Sequence, residues 1–388
     1  MALYQIAVLG NPNNEQISEL EIQTQKMLGY FGLALHKDVE WLIQPPADFV
    51  VKSKEHTTVV FYGATGKTDS KIVLLHEQGI RIIPVASTLK NVPHEIPEQI
   101  RTLNCLAYDQ RGTTRIVTAL LENIGLLPKK KRVFISYRRD EAREVVLQLF
   151  DSLSANEFTV FLDTHTIPAA EDFQTALWHN LHDTDVLIML HTKGYFESHF
   201  AKEEFQRAYD KAIPILRIGW PGSMESLQDA RILDHVDSVE LLEDDLDTKC
   251  RPLPKARIRE ICAKMEVLRC QGYALRSKTL LNRLRPIETS DWLFSSSASF
   301  PSLALITLPN GVKLAVYPII GAPSAITLHE AARASAPPHI PAVLYDHIGL
   351  HPNLQEHLDW LDTEISNVRL LKANDVFVQL RPVGDLSL

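Results

Sequence analysis

Residues 133–140 read VFISYRRD, and this stretch decides the fold that the sequence predicts. A run of apolar residues typical of a buried strand passes directly into a hydroxyl, an aromatic ring and two arginines, and a helical pattern then begins at Asp140. Residues 158–163 repeat the arrangement, because an apolar strand ends there in Asp163. Strands that alternate with helices predict a doubly wound parallel sheet, whose ligands bind at the carboxyl ends of the strands. We therefore expect a binding site where these two strands end.

The chain divides into four segments by pattern and composition. Residues 1–127 alternate between strand-like and helix-like patterns, which predicts an N-terminal doubly wound α/β domain. Analogy with other domains of this fold suggests a sensor or regulatory role for it. Residues 131–222 form the second α/β unit, which contains VFISYRRD. An acidic, proline-punctuated connector with a basic helix follows over residues 223–290, and residues 291–388 predict a C-terminal α/β or α+β domain.

The basic helical stretch lies at residues 255–285 and admits two interpretations. On the first interpretation, its arginines and lysines form a solvated face or a docking surface for the acidic residues 240–247. On the second, they form a site for an anionic ligand or for nucleic acid. In the last segment, Pro309-Asn310-Gly311 between two apolar runs predicts a hairpin, and residues 375–380 predict a final strand.

Composition excludes several classes of protein. With 388 residues, of which 45% are hydrophobic and 23% charged, the chain has an ordinary globular composition. A net charge of −8 disfavours general affinity for nucleic acid, and no apolar run approaches the roughly 20 residues that span a bilayer. We expect a cytoplasmic protein with reduced cysteines and no membrane partner. No metal is expected, since the histidines lack carboxylate or cysteine companions at ligand spacing.

Three further segments surround the two predicted strand ends. They are the loop THTIPAAEDF at residues 164–173, the stretch KGYFESHFAKEEFQRA at 193–208 and the strand AIPIL at 212–216. In this order and spacing, and together with FISYRRD, they resemble the boxes of the Toll/interleukin-1 receptor (TIR) domain family, especially its bacterial branch. The resemblance spans residues 131–222 and implies a flavodoxin-like fold with a parallel sheet.

Four residues depart from the family pattern. Ala170 stands where the loop after the second strand usually has glycine, and Thr192 replaces a common serine. Phe200 and Ala201 replace a common Trp-Cys pair, although Phe200 keeps an aromatic ring.

The resemblance implies one of two functions. Many TIR domains are scaffolds that act by binding other TIR domains, and Ala170 would then mark a relaxed active site. Others cleave NAD+ at the nicotinamide–ribose bond, so that NAD+ is the substrate and no cofactor is needed. Linear and cyclised ADP-ribose share the same first step. Bacterial proteins that join an enzymatic TIR domain to other modules are commonly anti-phage effectors, which implies such a role here, with an unknown activating partner or ligand.

The family uses the glutamate of its third box for cleavage, and this position is Glu204. Its neighbour Glu203 lies about 100° away around the same predicted helix, whereas Ala201, Phe205 and Ala208 form one apolar stripe beside Glu204. The residues alone also allow an exposed helix glutamate that pairs with Lys202 or Arg207.

One carboxylate suffices to cleave the nicotinamide–ribose bond. The nicotinamide ring of NAD+ already carries a positive charge, so it can leave without a proton donor. The carboxylate then stabilises the oxocarbenium-like ribose. The planar forks of two arginines match phosphate oxygens, and aromatic rings can stack on the substrate. The predicted substrate-binding residues are Ser136, Tyr137, Arg138, Arg139, Asp163 and Phe200.

An apolar loop tip, formed by Ile167, Pro168, Ala169 and Ala170, lies between polar residues. Such a tip suits burial against another protein surface, and in this family the loop often contacts a neighbouring TIR domain. The alternative is a loop that packs onto its own domain. On the first interpretation we expect homo-oligomers or open filaments, because head-to-tail packing need not close.

Overall fold

The computed structural model of the protein describes residues 2–46, 49–65, 70–162, 180–224, 233–246, 253–285, 293–296 and 303–385. The chain forms two compact units. Unit 1 contains Met1–Lys130 and Lys255–Gln271, and unit 2 contains Lys131–Pro254 and Gly272–Leu388.

Unit 1 is built on a five-stranded parallel sheet in the order β2-β1-β3-β4-β5. This is the order of flavodoxin-like doubly wound folds, and it confirms the predicted α/β character of the N-terminal segment. Near-continuous apolar runs form the inner strands because parallel strands are buried on both faces. The elements are β1 (Tyr4–Gly10), α1 (Asn14–Tyr30), β2 (Val39–Ile43), β3 (Thr57–Tyr62), α2 (Ser70–Glu77), β4 (Arg81–Ala86), α3 (Val92–Glu95), β5 (Leu106–Ala107) and α4 (Tyr108–Asn123).

Unit 2 contains a second five-stranded parallel sheet, in the order β10-β9-β8-β6-β7. The sequence order is again 2-1-3-4-5, so the flavodoxin-like fold expected around VFISYRRD is confirmed. Its fifth strand, β10, lies within the segment interpreted as a connector. The described elements are β6 (Lys131–Ser136), α5 (Arg139–Ala155), β7 (Phe158–Leu162), β8 (Val186–His191), α6 (His199–Asp210), β9 (Ile215–Gly219) and β10 (Asp237–Glu240).

A third sheet, also in unit 2, is mixed and has the order β11-β12-β13-β14-β15. The predicted hairpin joins the antiparallel strands β12 and β13, and β13, β14 and β15 are parallel. The elements are β11 (Leu293–Ser296), β12 (Ala304–Thr307), β13 (Lys313–Ile319), α8 (Ala325–Ala334), β14 (His339–Tyr345), α9 (Pro352–Glu364), β15 (Arg369–Lys372) and α10 (Val376–Asp385).

The strand predicted at residues 375–380 is wrong, because this stretch begins the helix α10. Val376 and Leu380, four residues apart, are buried in one core cluster, whereas Val378 between them is 71% exposed. Burial with a spacing of four residues is typical of a helix face. The last strand is instead β15, whose four residues gave too short a pattern to predict.

The predicted basic helix is α7 (Lys255–Asn282), and the division between the two units falls within it. Several of its basic side chains are engaged in contacts within their own unit. In unit 1, Arg269 is fully buried and its guanidinium lies 2.9 Å from Glu122 and 3.7 Å from Glu266. In unit 2, Arg276 donates to the carbonyl of Thr184 at 2.8 Å. These two arginines therefore stabilise the fold, and neither interpretation of a solvated face or an anion site applies to them.

An ion pair in unit 2 gives a first testable prediction. Lys211, the C-cap of α6, lies 2.6 Å from Asp346, which directly follows β14. Burial of Asp346 opposes its ionisation, but hydrogen bonds from Lys211 and from the Ile348 amide outweigh this effect and hold its pKa below the ordinary value. A depressed carboxyl pKa contributes stability above the unfolded pKa, which is lost as the pH falls through the folded pKa.

We therefore expect Lys211→Met to lower the free energy of unfolding by about 0.5–1 kcal/mol near neutral pH, since the pair is partly exposed. The loss should shrink at a pH low enough to protonate Asp346, because only the hydrogen bond from Lys211 to the Ile348 carbonyl then remains. Hydrogen exchange of peptides from β14, which report unit 2, measures the loss at neutral pH and at a pH below the folded pKa of Asp346. An equal loss at both pH values would show that the charge of Asp346 contributes nothing to it.

Candidate active site

The carboxyl edge of the second sheet brings the candidate site residues together. The neighbouring strands β6 and β8 end there at Ser136 and His191, and the helices α5 and α6 begin beyond them. In the 2-1-3-4-5 order, the first and third strands lie side by side and their connections leave toward opposite faces of the sheet. This switch point is where doubly wound folds bind their ligands.

Glu204 is buried on α6, with only 4% of its surface exposed. Ser198 begins the helix as its N-cap, and its hydroxyl accepts a hydrogen bond from the Ala201 amide at 3.3 Å. Ala201 and Phe205 are buried on the same face, as the apolar stripe predicted. The interpretation of Glu204 as an exposed surface glutamate is therefore wrong. A carboxylate is rarely buried unless it has a structural partner or a function.

Two hydroxyl groups lie beside this face of α6. The hydroxyls of Ser136 and Tyr195 are 2.7 Å apart, and that of Tyr195 also donates to the Ala201 carbonyl at 3.3 Å. Burial, and to a smaller extent the negative charge of Glu204, raise the pKa of Tyr195. Ser136, Tyr195 and Glu204 are thus gathered in one buried polar cluster.

Arg138 is turned to contacts within the domain. Its guanidinium lies 2.7 Å from Glu197 and 3.2 Å from Glu141, and it donates to the Gly194 carbonyl at 3.2 Å. The ion pair with Glu197 is the main reason why its pKa is raised. A Cβ at Gly194 would meet this guanidinium, which would then have to shift away from the Gly194 backbone. The structure therefore gives Arg138 a bridging role between the start of α5 and the turn before α6.

The other predicted substrate-binding residues differ in exposure. Tyr137 is half-buried, Arg139 is exposed, and Phe200 is 49% exposed on the first turn of α6. These positions leave the three side chains accessible to a ligand at the carboxyl edge. Asp163 and the assembly loop of Ile167, Pro168, Ala169 and Ala170 lie outside the described residues.

Beside these residues lies a set of polar side chains that the sequence patterns did not predict. Arg217 on β9 donates through Nε to the His191 Nδ1 at 2.9 Å and also pairs with Glu240 on β10. Because Nδ1 accepts this bond, a neutral His191 carries its proton on Nε2. His191 is 1% exposed and Arg217 5% exposed. The only sequence signal was a polar residue at the same end of three apolar strands.

Within the described part of the chain, no group of three or more histidine, cysteine, aspartate or glutamate side chains could hold a metal ion. Nor does any described helix have both the length and the apolar character needed to cross a membrane.

The strand order of the second sheet defines a flavodoxin-like domain. Its candidate site is the polar cluster at the end of the first strand, beside the buried Glu204 on the helix after the third strand. Residues 133–248 match the family model of the TIR domain, so this part of the chain is a TIR domain. No curated protein matches the chain.

Proposed function

We propose that the TIR domain of this protein cleaves NAD+ at the nicotinamide–ribose bond, with Glu204 as the catalytic residue. The observation that carries the proposal is the burial of the Glu204 carboxylate at the switch-point edge of the TIR sheet. A carboxylate kept there at the cost of desolvation is placed to stabilise a positive charge that develops on a substrate.

The proposed reaction consumes one water molecule. The C–N bond between ribose and nicotinamide breaks, and its electron pair neutralises the pyridinium nitrogen, so nicotinamide leaves as a neutral molecule. The positive charge moves to the ribose, where the carboxylate of Glu204 stabilises it. Water then attacks the anomeric carbon, which yields ADP-ribose and one proton. Attack by a group of the adenine moiety instead of water would give the cyclised product.

The accessible side chains at the carboxyl edge suit the remaining parts of NAD+. Arg139 offers a planar donor fork to a phosphate, and the rings of Tyr137 and Phe200 offer faces for stacking. Ser136, Arg138 and Asp163 complete the proposed set, with Arg138 free to contact a phosphate only after it leaves Glu197.

The pairing of Arg138 supports a second candidate function. The Arg138 guanidinium is already paired with Glu141 and Glu197, so it does not face a site where a phosphate could bind. A scaffold without catalytic activity would need no phosphate-binding arginine. In that case the TIR domain acts by binding other TIR domains.

One experiment separates the two functions. The purified full-length protein is incubated with NAD+ at high protein concentration, and free nicotinamide is measured by chromatography beside Glu204→Ala. We expect release by the wild-type protein alone. If the wild-type protein releases no more nicotinamide than Glu204→Ala, the proposed catalytic activity is contradicted and the scaffold function is supported.

We further propose that assembly activates the enzyme, as in an anti-phage effector that must stay inactive until it is triggered. The apolar loop tip at Ile167 would contact a second TIR domain. Specific activity should therefore rise steeply with protein concentration, and Ile167→Asp should abolish the rise, because a charge cannot be buried there unpaired.

Initial rates over a roughly hundredfold range of protein concentration measure this effect, with analytical ultracentrifugation alongside. Thr166→Asp places the same charge on a neighbouring polar position and is the matched control. Activity strictly proportional to concentration, with Ile167→Asp like wild type, would contradict activation by this loop.

A further inference from the structure

We infer that Tyr195 is a positioning residue for the cleavage reaction: its buried hydroxyl ties the end of β6 to the first turn of α6 and so fixes where Glu204 stands. The inference rests on the proposed function and assigns a role to the one member of the buried cluster that this function leaves unused.

The hydrogen bonds of Tyr195 have a single consistent direction. The Ala201 carbonyl can only accept, so the one proton of the tyrosine hydroxyl points to it, at a distance of 3.3 Å. The Ser136 hydroxyl, 2.7 Å away, must then donate to the tyrosine oxygen. Tyr195 thereby links Ser136, directly before Tyr137 and Arg138, to Ala201, one helical turn before Glu204.

The surroundings of Tyr195 fit a fixed hydroxyl that does not ionise. Its side chain is fully buried, and its ring meets those of His191 and Phe196 edge to face, with centroids 6.0 and 5.2 Å away. Burial first and the Glu204 charge second raise its pKa, so the hydroxyl stays protonated at any pH at which the protein works. Tyr195 therefore positions other groups and moves no proton itself.

The rate of cleavage depends on the distance between the Glu204 carboxylate and the bound substrate. Glu204 stabilises a charge on a substrate held by the residues after β6, so the separation between α6 and the end of β6 must be kept. Misplacement of a catalytic group by about 1 Å can cost roughly a hundredfold in rate. Tyr195→Phe keeps the ring and its contacts and removes both hydrogen bonds, so we expect kcat to fall about tenfold while the KM for NAD+ stays within about twofold.

The test compares four variants of the full-length protein by nicotinamide release and by melting temperature. Tyr209→Phe is the matched control, because Tyr209 lies on the helix that carries Glu204 and is 59% exposed. The other variants are Tyr195→Phe, Glu204→Gln and the double variant Tyr195→Phe/Glu204→Gln. A residue that acts through Glu204 lowers kcat in the wild-type background and lowers it no further in the Glu204→Gln background.

Each outcome decides the matter. A tenfold fall in kcat that vanishes in the Glu204→Gln background, with Tyr209→Phe like wild type, supports the positioning role. A wild-type kcat for Tyr195→Phe overturns it while the proposed function stands, and so does an equal fall in both backgrounds, which a purely structural defect would give. Absence of nicotinamide release by the wild-type protein overturns the proposed function and this inference together.

Discussion

Glu204→Gln should lower kcat for nicotinamide release by about 10²–10³-fold, the size typical of losing one preorganised electrostatic contact to a developing charge. The amide has the shape of the carboxylate but no negative charge to offer the ribose in the transition state. NAD+ binds before that charge develops, so KM should change little. Initial-rate kinetics with full-length protein measure both constants.

The fall in activity should not come from a loss of structure. Glutamine keeps the shape of the Glu204 side chain, which is 4% exposed, so we expect Glu204→Gln to stay folded with a melting temperature close to that of wild type. Glu203→Gln is the matched control, because Glu203 is the next residue on α6 and is only half-buried. Equal kcat values for the two variants would show that the burial of Glu204 has no catalytic meaning.

Local helix geometry indicates the face of α6 on which Glu204 lies, although the residues alone left an exposed position open. A helix fixes which residues share a face, so Ala201 and Phe205 on the core side carry Glu204 with them. The ends of the strands in the TIR domain could also be predicted from the sequence, because parallel strands covered on both faces consist of long apolar runs.

Contacts between distant residues were out of reach. The partners of Arg138 in the structure include Gly194 and Glu197, which lie far along the chain and which no local pattern indicated. The link between Arg217 and His191 likewise arises only when β8 and β9 pair. The spacing of residues within one helix or strand does not predict contacts between side chains of distant elements.

Short or one-sided elements were the other source of error. The edge strand β2 alternates between buried and half-buried positions, and β15 has only four residues, so neither gave a strong pattern. In α10, β-branched and aromatic residues gave a strand-like local preference, which the burial of Val376 and Leu380 against one core overrides.

Arg269→Met should unfold or severely loosen unit 1, with a loss of about 3–5 kcal/mol, because a buried ion pair that loses one partner leaves uncompensated charge. Arg269 is fully buried and faces the carboxylates of Glu122 and Glu266 at 2.9 and 3.7 Å. It also donates to the backbone carbonyls of Pro128 and Lys130. Arg115 lies 3.3 Å from Glu122 and 3.8 Å from Glu266, so both carboxylates also face a second guanidinium.

The readout must be local, since a chain of two units does not unfold in one step. Hydrogen exchange of peptides from β1 and β3 reports unit 1 alone, and it should accelerate by roughly 10²–10³-fold or more in Arg269→Met. Arg259→Met is the matched control, because Arg259 lies on the same helix within unit 1 and is exposed. Methionine preserves most of the buried volume, so the loss of protection measures the contribution of charge and hydrogen bonding.

A double variant tests the same ion pair from the other side. Adding Glu122→Gln to Arg269→Met should restore part of the protection, because it removes one of the buried carboxylates that has lost its partner. Exchange as slow in Arg269→Met as in Arg259→Met would mean that the buried cluster contributes nothing to the stability of unit 1.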